Sequence, residues 1–287
     1  MKDLIKALAK TSNSSIQVNS DDYIGDDGLI YCGKCHTPKQ TRITYNGETV
    51  TAMCLCKCES DKRDEQEMLD KQRQRTEEIR SMRYDGFPDS EMQGWRFEND
   101  DQVNSQINIA KRYANNFSEF FKKHKGLLLF GGVGTGKTFM SACIANALID
   151  KGIPCLVTNF ARISNTLMGV YEKQTYIDSL NKYDLLVIDD LASERNTEYM
   201  NEVVMNVIDS RYRSGKPLIV TTNLTADELK NPRDISRKRI YSRLFEMCIP
   251  VEIKGYDRRK KKLIDEHDEF AQLLGLEEGS ENNGIKQ

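Results

Sequence analysis

Leu127-Leu-Leu-Phe-Gly-Gly-Val-Gly-Thr-Gly-Lys-Thr138 is the stretch whose reading decides the fold. Leu127 to Phe130 form a continuous apolar run, as in a short strand buried on both faces. Gly131-x-x-x-x-Gly136-Lys137-Thr138 follows, and Phe139 to Lys151 then carries a helical pattern. Strand, glycine-rich turn and helix in that order make a P-loop. Glycine lets the backbone curl until its N–H groups converge on phosphate oxygens, and the positive end of the next helix adds to the field. Gly131, Gly132, Val133, Gly134, Thr135 and Gly136 are the expected cradle. Lys137 should reach the β- and γ-phosphates, and the Thr138 hydroxyl should ligate Mg²⁺. The stretch predicts a nucleoside-triphosphate site.

Downstream, Leu185-Leu-Val-Ile-Asp-Asp190 reads as a second buried strand, this one ending in acid. A carboxylate there lies beside the P-loop and can hold Mg²⁺ through water, a role that falls to Asp189. Asp190 then stands where an ATPase polarises the attacking water. Leu218-Ile-Val-Thr-Thr-Asn223 is a third such strand, and Asn223 at its end is placed to hydrogen-bond the γ-phosphate or the lytic water. Pro154 to Thr158 and Cys248 to Ile253 complete five strand segments that alternate with helices, the pattern of a parallel, doubly wound sheet. Ile235 to Leu244 is a basic helix in which Arg239 and Arg243 share a face, one turn apart. Arginines so placed can stabilise charge on a neighbouring subunit's ATP, or meet solvent or DNA phosphates. Lys260 to Leu274 reads as a last helix, stopped at Gly275.

Upstream, Ile107 to Lys125 reads as one helix, with Ile109, Tyr113, Phe117, Phe120 and Phe121 on its apolar side. Glu59 to Arg83 is almost wholly charged and reads as a solvated helical arm, ended by Phe87-Pro88. Five of the eight cysteines lie before position 60, between Tyr31-Cys-Gly-Lys-Cys35 and Cys54-Leu-Cys-Lys-Cys58. A tight Cys32-x-x-Cys35 turn and a returning hairpin over Thr41 to Thr51, turned at Asn46-Gly47, would gather four thiolates round zinc. Cys54, Cys56 and Cys58 share one parity on a strand. Cys32, Cys35, Cys56 and Cys58 are the preferred set, with Cys54 the alternative. Four protein ligands leave no open position, so the site is structural. His36 reads as a surface residue. Residues 1–10 read as a weak amphipathic helix and Thr11 to Gly28 as a polar linker.

The 287 residues suffice for one large domain with appendages, and 30% of them are charged. No apolar run approaches a membrane span, and the N-terminus is too short and charged for a signal peptide, which predicts a soluble, cytoplasmic protein with no membrane partner. A net charge of −2 excludes nothing about nucleic acid, because local patches can be basic.

Together, the P-loop, the Asp189-Asp190 strand, the Thr-Thr-Asn223 strand and the Arg-x-x-x-Arg helix followed by a late arginine form the motif series of AAA+ ATPases. Phe130 to Thr138 and Asp189-Asp190-Leu-Ala-Ser-Glu194 resemble the DnaC/DnaI-type replicative helicase loaders and their IstB relatives, over about Trp95 to Lys262. The resemblance implies a parallel AAA+ (ASCE) sheet with flanking helices, in which the P-loop strand lies between the last strand and the Asn223 strand. It implies that Lys137 and Thr138 are Walker A, Asp189 and Asp190 Walker B, and Asn223 sensor 1. It puts the arginine finger at Arg243, with Arg239 its neighbour, and sensor 2 at Arg258, with Arg259 left open by the spacing. Many relatives have Glu at the position of Asp190, so the shorter acid implies slow hydrolysis of ATP to ADP and phosphate. Only one helix follows the fifth strand, so the lid domain of larger AAA+ proteins is missing.

Loaders of the DnaI type carry a zinc-containing front end that grips the hexameric helicase. The resemblance therefore implies a partner-binding module over 1–60 and the AAA+ domain over 91–275; charge makes 61–90 a helical linker, and polarity makes 276–287 a disordered tail. It also implies single-stranded DNA as a ligand and ATP-dependent self-assembly. Phe160, Arg162, Arg211 and Arg213 are conceivable DNA contacts, but residues of these kinds are more often ordinary helix-surface or core residues. Two other functions share the nucleotide-site residues: an IstB-like regulator of a transposase, and a metal-stapled adaptor that barely turns ATP over.

Overall fold

The computed structural model describes residues 18–45, 47–100, 105–193, 197–232 and 234–257, together with Phe270 and Leu274. The chain divides into two compact units, one up to Glu77 and the other from Glu78.

In the second unit five strands form a parallel sheet: β5 (Gly126–Phe130), β6 (Cys155–Asn159), β7 (Leu185–Leu191), β8 (Leu218–Thr222) and β9 (Cys248–Glu252). Their order is β6-β7-β8-β5-β9. The P-loop strand β5 therefore lies between the last strand and the strand that leads to Asn223, the order the resemblance implies. Side chains alternate across a strand, so each strand feeds two cores. Leu128, Leu186, Ile188, Leu218 and Val220 enter one apolar cluster. Leu127, Leu129, Leu185, Val187 and Ile219 enter the other.

Helices cover both faces. The first cluster is closed by α5 (Phe160–Gly169), α6 (Lys173–Ser179), α7 (Glu198–Ser214) and α9 (Ile235–Met247). The second is closed by α2 (Ile107–Asn115), α3 (Phe117–Lys122) and the P-loop helix α4 (Lys137–Ile149). A short helix, α8 (Ala226–Lys230), opens with a capping box between Thr225 and Glu228.

The single helix expected over 107–125 is broken at Asn116. Its side-chain amide donates to the Arg112 carbonyl at 2.9 Å, and its backbone leaves the helical region (φ −104°, ψ 21°). Asparagine competes for backbone groups in this way, and two helices replace one.

The first unit has two small antiparallel pairs. β1 (Tyr23–Ile24) pairs with β2 (Ile30–Tyr31), and β3 (Gln40–Tyr45) pairs with β4 (Glu48–Met53). Tyr45 faces Glu48, which leaves a two-residue connection; Asn46 itself lies outside the described residues. The polar stretch expected to be a linker up to Gly28 is structured from Asn19 onward. The Asp22 carboxylate accepts from the Asn19 backbone and from the buried Lys39 ammonium.

α1 (Lys57–Gly86) is one continuous helix. Residues 61–78 are exposed throughout, as their charge predicts. The last turns differ from the expected solvated arm: Ile79, Met82 and Phe87 pack into the second apolar cluster, and Arg83 pairs with Asp150. The helix expected near 1–10 and most of that over 260–274 lie outside the described residues. Among the described residues no helix is long and apolar enough to cross a membrane.

Candidate functional site

The P-loop connects β5 to α4, and its sharpest bends need glycine. Gly131 has φ +139°, and a Cβ there would lie 2.4 Å from the Ile253 carbonyl oxygen. Gly136 caps α4 with φ +95°, a conformation that L side chains rarely adopt. The loop runs directly into the N-terminus of α4, the end of a helix that favours an anion.

A cavity of about 660 Å³ opens over this loop, within the usual size range for a small-molecule site. Gly134 to Thr138, Asp189, Asp190, Thr221 and Asn223 line one part of it. Met92, Trp95, Asn99, Val133 and Phe139 line another. Trp95 and Phe139 stand 5.7 Å apart, ring to ring, beside the loop. Asn146 of α4, fully buried, donates to the Met92 and Trp95 carbonyls at 2.8 and 2.9 Å and so holds this wall. Nothing in the local pattern around Met92 and Trp95 points to such a wall, because tertiary hydrogen bonds hold it there.

The side chains named from the motifs converge. The Lys137 ammonium donates to the Gly131 and Gly132 carbonyls at 3.0 and 2.6 Å and to Asn223 Oδ1 at 2.8 Å. Asn223 in turn donates from Nδ2 to Asp190 Oδ1 at 3.0 Å. The Thr138 hydroxyl donates to the Asp189 carboxylate at 2.9 and 3.1 Å. Burial raises the Asp189 pKa above its ordinary value, against the hydroxyls of Thr221 and Thr138, which lower it. The donor set suits a hydrated Mg²⁺ beside phosphate: one hydroxyl and one carboxylate, on adjoining elements, at the foot of an N–H-lined loop. Thr221, which the motifs do not mark, lies between the two acids.

The arginines are divided. Arg243 on α9 forms an ion pair with Asp209 of α7 at 2.7 Å, and its guanidinium lies 6.0 Å from the centre of the Tyr212 ring. Arg239, one turn earlier, is exposed. Arg258 and Arg259 lie outside the described residues. Two conceivable DNA contacts are core residues instead. Arg211 is fully buried and donates to the carbonyls of Tyr183, Asp184 and Pro217, and Phe160 is 2% exposed in the first apolar cluster. Arg162 and Arg213 are exposed and pair with Asp89 and Asp209.

In the first unit the Sγ atoms of Cys32, Cys35, Cys56 and Cys58 all lie within 4.8 Å of one another. The Cys32–Cys58 and Cys56–Cys58 separations are 3.7 and 3.3 Å. Four sulfurs at ~2.3 Å from a tetrahedral zinc stand ~3.8 Å apart, so the donor set fits a closed Cys₄ site. The Cys32-to-Cys35 turn is closed by His36 N–H donating to the Cys32 carbonyl at 2.9 Å. Cys58 lies in the first turn of α1. The Thr37 hydroxyl, followed by the Cys58 backbone, lowers the Cys35 thiol to about 5, whereas burial pushes Cys56 up.

The Cys54 sulfur lies elsewhere, 3.6 Å from the Pro38 carbonyl oxygen. The shared strand parity of Cys54, Cys56 and Cys58 does not hold, because β4 ends at Met53 and α1 begins at Lys57. His36 is exposed, with Nδ1 3.3 Å from the Tyr23 hydroxyl.

A family model for IstB-like ATP binding proteins matches residues 63–265. The chain belongs to the IstB-like ATP-binding family. Among curated relatives, the replicative helicase loader DnaI of Bacillus subtilis is 29% identical over 150 residues, 48% of this chain and 48% of that protein. The replicative helicase loader DnaC of Escherichia coli (strain K12) is 26% identical over 161 residues, 53% of this chain and 64% of that protein. The chain thus spans about half the length of DnaI and under two thirds of DnaC. A crystal structure of DnaI superposes with a TM-score of 0.50 at 26% identity, covering 60% of this chain and 94% of that one. The IstB-like sheet described above is therefore an AAA+ sheet, in a family whose members bind ATP.

Proposed function

We propose that this IstB-like protein is an ATP-hydrolysing helicase loader that delivers a replicative hexameric helicase to single-stranded DNA in DNA replication. The observation that carries the reading is the joining, in one chain, of a wired P-loop site and a four-cysteine unit. Relatives named as replicative helicase loaders support it.

ATP enters the cavity with its phosphates on the loop of Gly131, Gly132, Val133, Gly134, Thr135 and Gly136. Lys137 exchanges the Gly131 and Gly132 carbonyls for β- and γ-phosphate oxygens. Thr138 and Asp189 would hold Mg²⁺, which when bound neutralises phosphate charge. Asp190 orients the attacking water, and Asn223, already bonded to both Asp190 and Lys137, reports the state of the γ-phosphate to both. Asp190 is one methylene shorter than glutamate, so turnover is slow.

Arg243 supplies positive charge to a neighbouring subunit's ATP in an ATP-dependent assembly, after leaving Asp209; the exposed Arg239 is its alternate. Arg258, or Arg259 beside it, acts as sensor 2. Cys32, Cys35, Cys56 and Cys58 hold zinc and stiffen the partner-binding module, and the site of action is the cytoplasm.

A second reading, an IstB-like regulator of a transposase, would use the same nucleotide-site residues. Affinity purification of the full chain from its native cell, with and without ATP, separates the two. Recovery of the replicative helicase is the expected result, and recovery of a transposase in its place would sink the loader reading. ATP turnover that single-stranded DNA leaves unchanged would count against the DNA arm of the proposal.

A further inference from the structure

The two acids of β7 sit on a bulge. Leu186, Val187 and Ile188 pair with Leu218, Ile219 and Val220 in step, but the next partners are Leu191 and Thr222. Asp189 and Asp190 therefore share the space opposite one residue, Thr221. Bulges are rare between parallel strands and recur beside active sites, where they re-aim side chains. Asp190 takes φ +60° here, in the left-handed region, which aspartate tolerates better than most residues.

A bulge leaves a backbone group without its ladder partner, and the Thr221 side chain fills the gap. Its hydroxyl oxygen accepts the Asp190 N–H at 2.8 Å, and its proton goes to Asp189 Oδ1 at 2.6 Å. Thr221 is 1% exposed, so no bulk water competes for either bond. We infer that Thr221 is a positioning residue for the nucleotide site: one buried hydroxyl sets the direction of both Asp189 and Asp190. The inference rests on the nucleotide-site reading above. A fixed Asp189 oxygen keeps its second acceptor position for Thr138 and the hydrated cation. A fixed Asp190 backbone keeps its carboxylate within reach of Asn223. A mobile bulge would leave each acid sampling other directions, at a cost to catalysis rather than to nucleotide capture.

The test is a graded series in the full-length protein: Thr221→Ser keeps the hydroxyl, Thr221→Cys weakens it, and Thr221→Val keeps the shape and removes it. The readouts are kcat and KM for ATP and the Mg²⁺ concentration for half-maximal activity. Thr221→Val should lower kcat and raise the Mg²⁺ requirement by roughly 10- to 100-fold, the usual cost of losing a supporting hydrogen bond at a metal site. Its affinity for ATP without Mg²⁺ should change by less than about twofold, since the loop that grips phosphate is untouched.

Thr221→Ser should lie close to wild type, with Thr221→Cys between. Equal kcat and Mg²⁺ requirement in Thr221→Val and wild type would overturn the inference, as would a Thr221→Ser protein as impaired as Thr221→Val. Should Thr221→Val not fold, Ser and Cys decide: Ser above Cys supports the role, and equality overturns it. A wild-type protein with neither Mg²⁺-dependent turnover nor Mg²⁺-dependent binding would instead overturn the nucleotide-site reading.

Discussion

The two units of this chain are held together by different physics. In the unit up to Glu77, the buried residues among those described are Cys32, Lys39, Ala52, Met53 and Cys56. Only two of them are apolar residues other than cysteine. A folded segment of about forty residues, which is what remains beside the exposed part of α1, is usually too small to stabilise itself by burial alone. Its centre is instead four convergent sulfurs and the Lys39 ammonium, bonded to Asp22 at 3.1 Å and Glu59 at 3.0 Å. The unit from Glu78 is the reverse: a sheet whose strands bury alternate residues in two apolar clusters. With the proposed zinc as its centre, the first unit should be sensitive to chelation, whereas the second depends on packed volume.

Chelation gives the largest expected effect. Structural zinc contributes on the order of 10 kcal/mol of folding free energy in small domains. A strong chelator, or Cys56→Ser, should abolish protease protection of residues 18–60 and leave the melting midpoint of the second unit in place. Protection that survives chelation would mean that the ion pair and hairpins suffice. Leu186→Ala should do the converse. Truncating a fully buried leucine costs about 3 kcal/mol, read as a lower unfolding midpoint of the second unit with metal content unchanged.

Lys137→Ala should cost about 3 kcal/mol of nucleotide binding, roughly a hundredfold in Kd, through loss of charge-assisted bonds to phosphate. Titration calorimetry would measure it, and protection of the first unit should stay intact.

The smallest effect is pH-dependent. Burial lowers the Lys39 pKa, but the bonds to Glu59 and Asp22 outweigh it and hold the value above the usual lysine range. With a raised folded-state pKa, this stabilisation is complete below about pH 10.4 and is lost as pH rises through the folded value. Unfolding of the metal-loaded first unit should become easier above that pH, and Lys39→Met should flatten the dependence. An unchanged slope in Lys39→Met would take Lys39 out of the account.

Local signals carried well where one short segment contains its own explanation. β5, β7 and β8 are buried runs that announce themselves, and β8 has the expected bounds, Leu218 to Thr222. Glycine spacing likewise marks the loop between β5 and α4 before any contact is known. Elements whose form depends on distant partners were read less well. Asn116 breaks a helix that apolar periodicity makes continuous. Arg211 looks like a surface cation until three carbonyls from the ends of β7 and β8 surround it. Asn19 to Gly28 looks like a linker because the partner of Asp22 is seventeen residues away.

By itself, then, the sequence determined the succession of strands, the glycine-rich loop, and the acids and asparagine that line one cavity with it, since each depends on period, glycine placement or a strand's end. Tertiary structure decided which cysteines meet: α1 starts at Lys57 and turns Cys58 toward Cys32, while Cys54 is left beside Pro38. It also decided that Arg243 is paired within its own chain, and that Thr221 stands opposite two acids rather than one. Side-chain hydrogen bonds and ion pairs join residues far apart in the chain. The spacing along one segment holds no record of them.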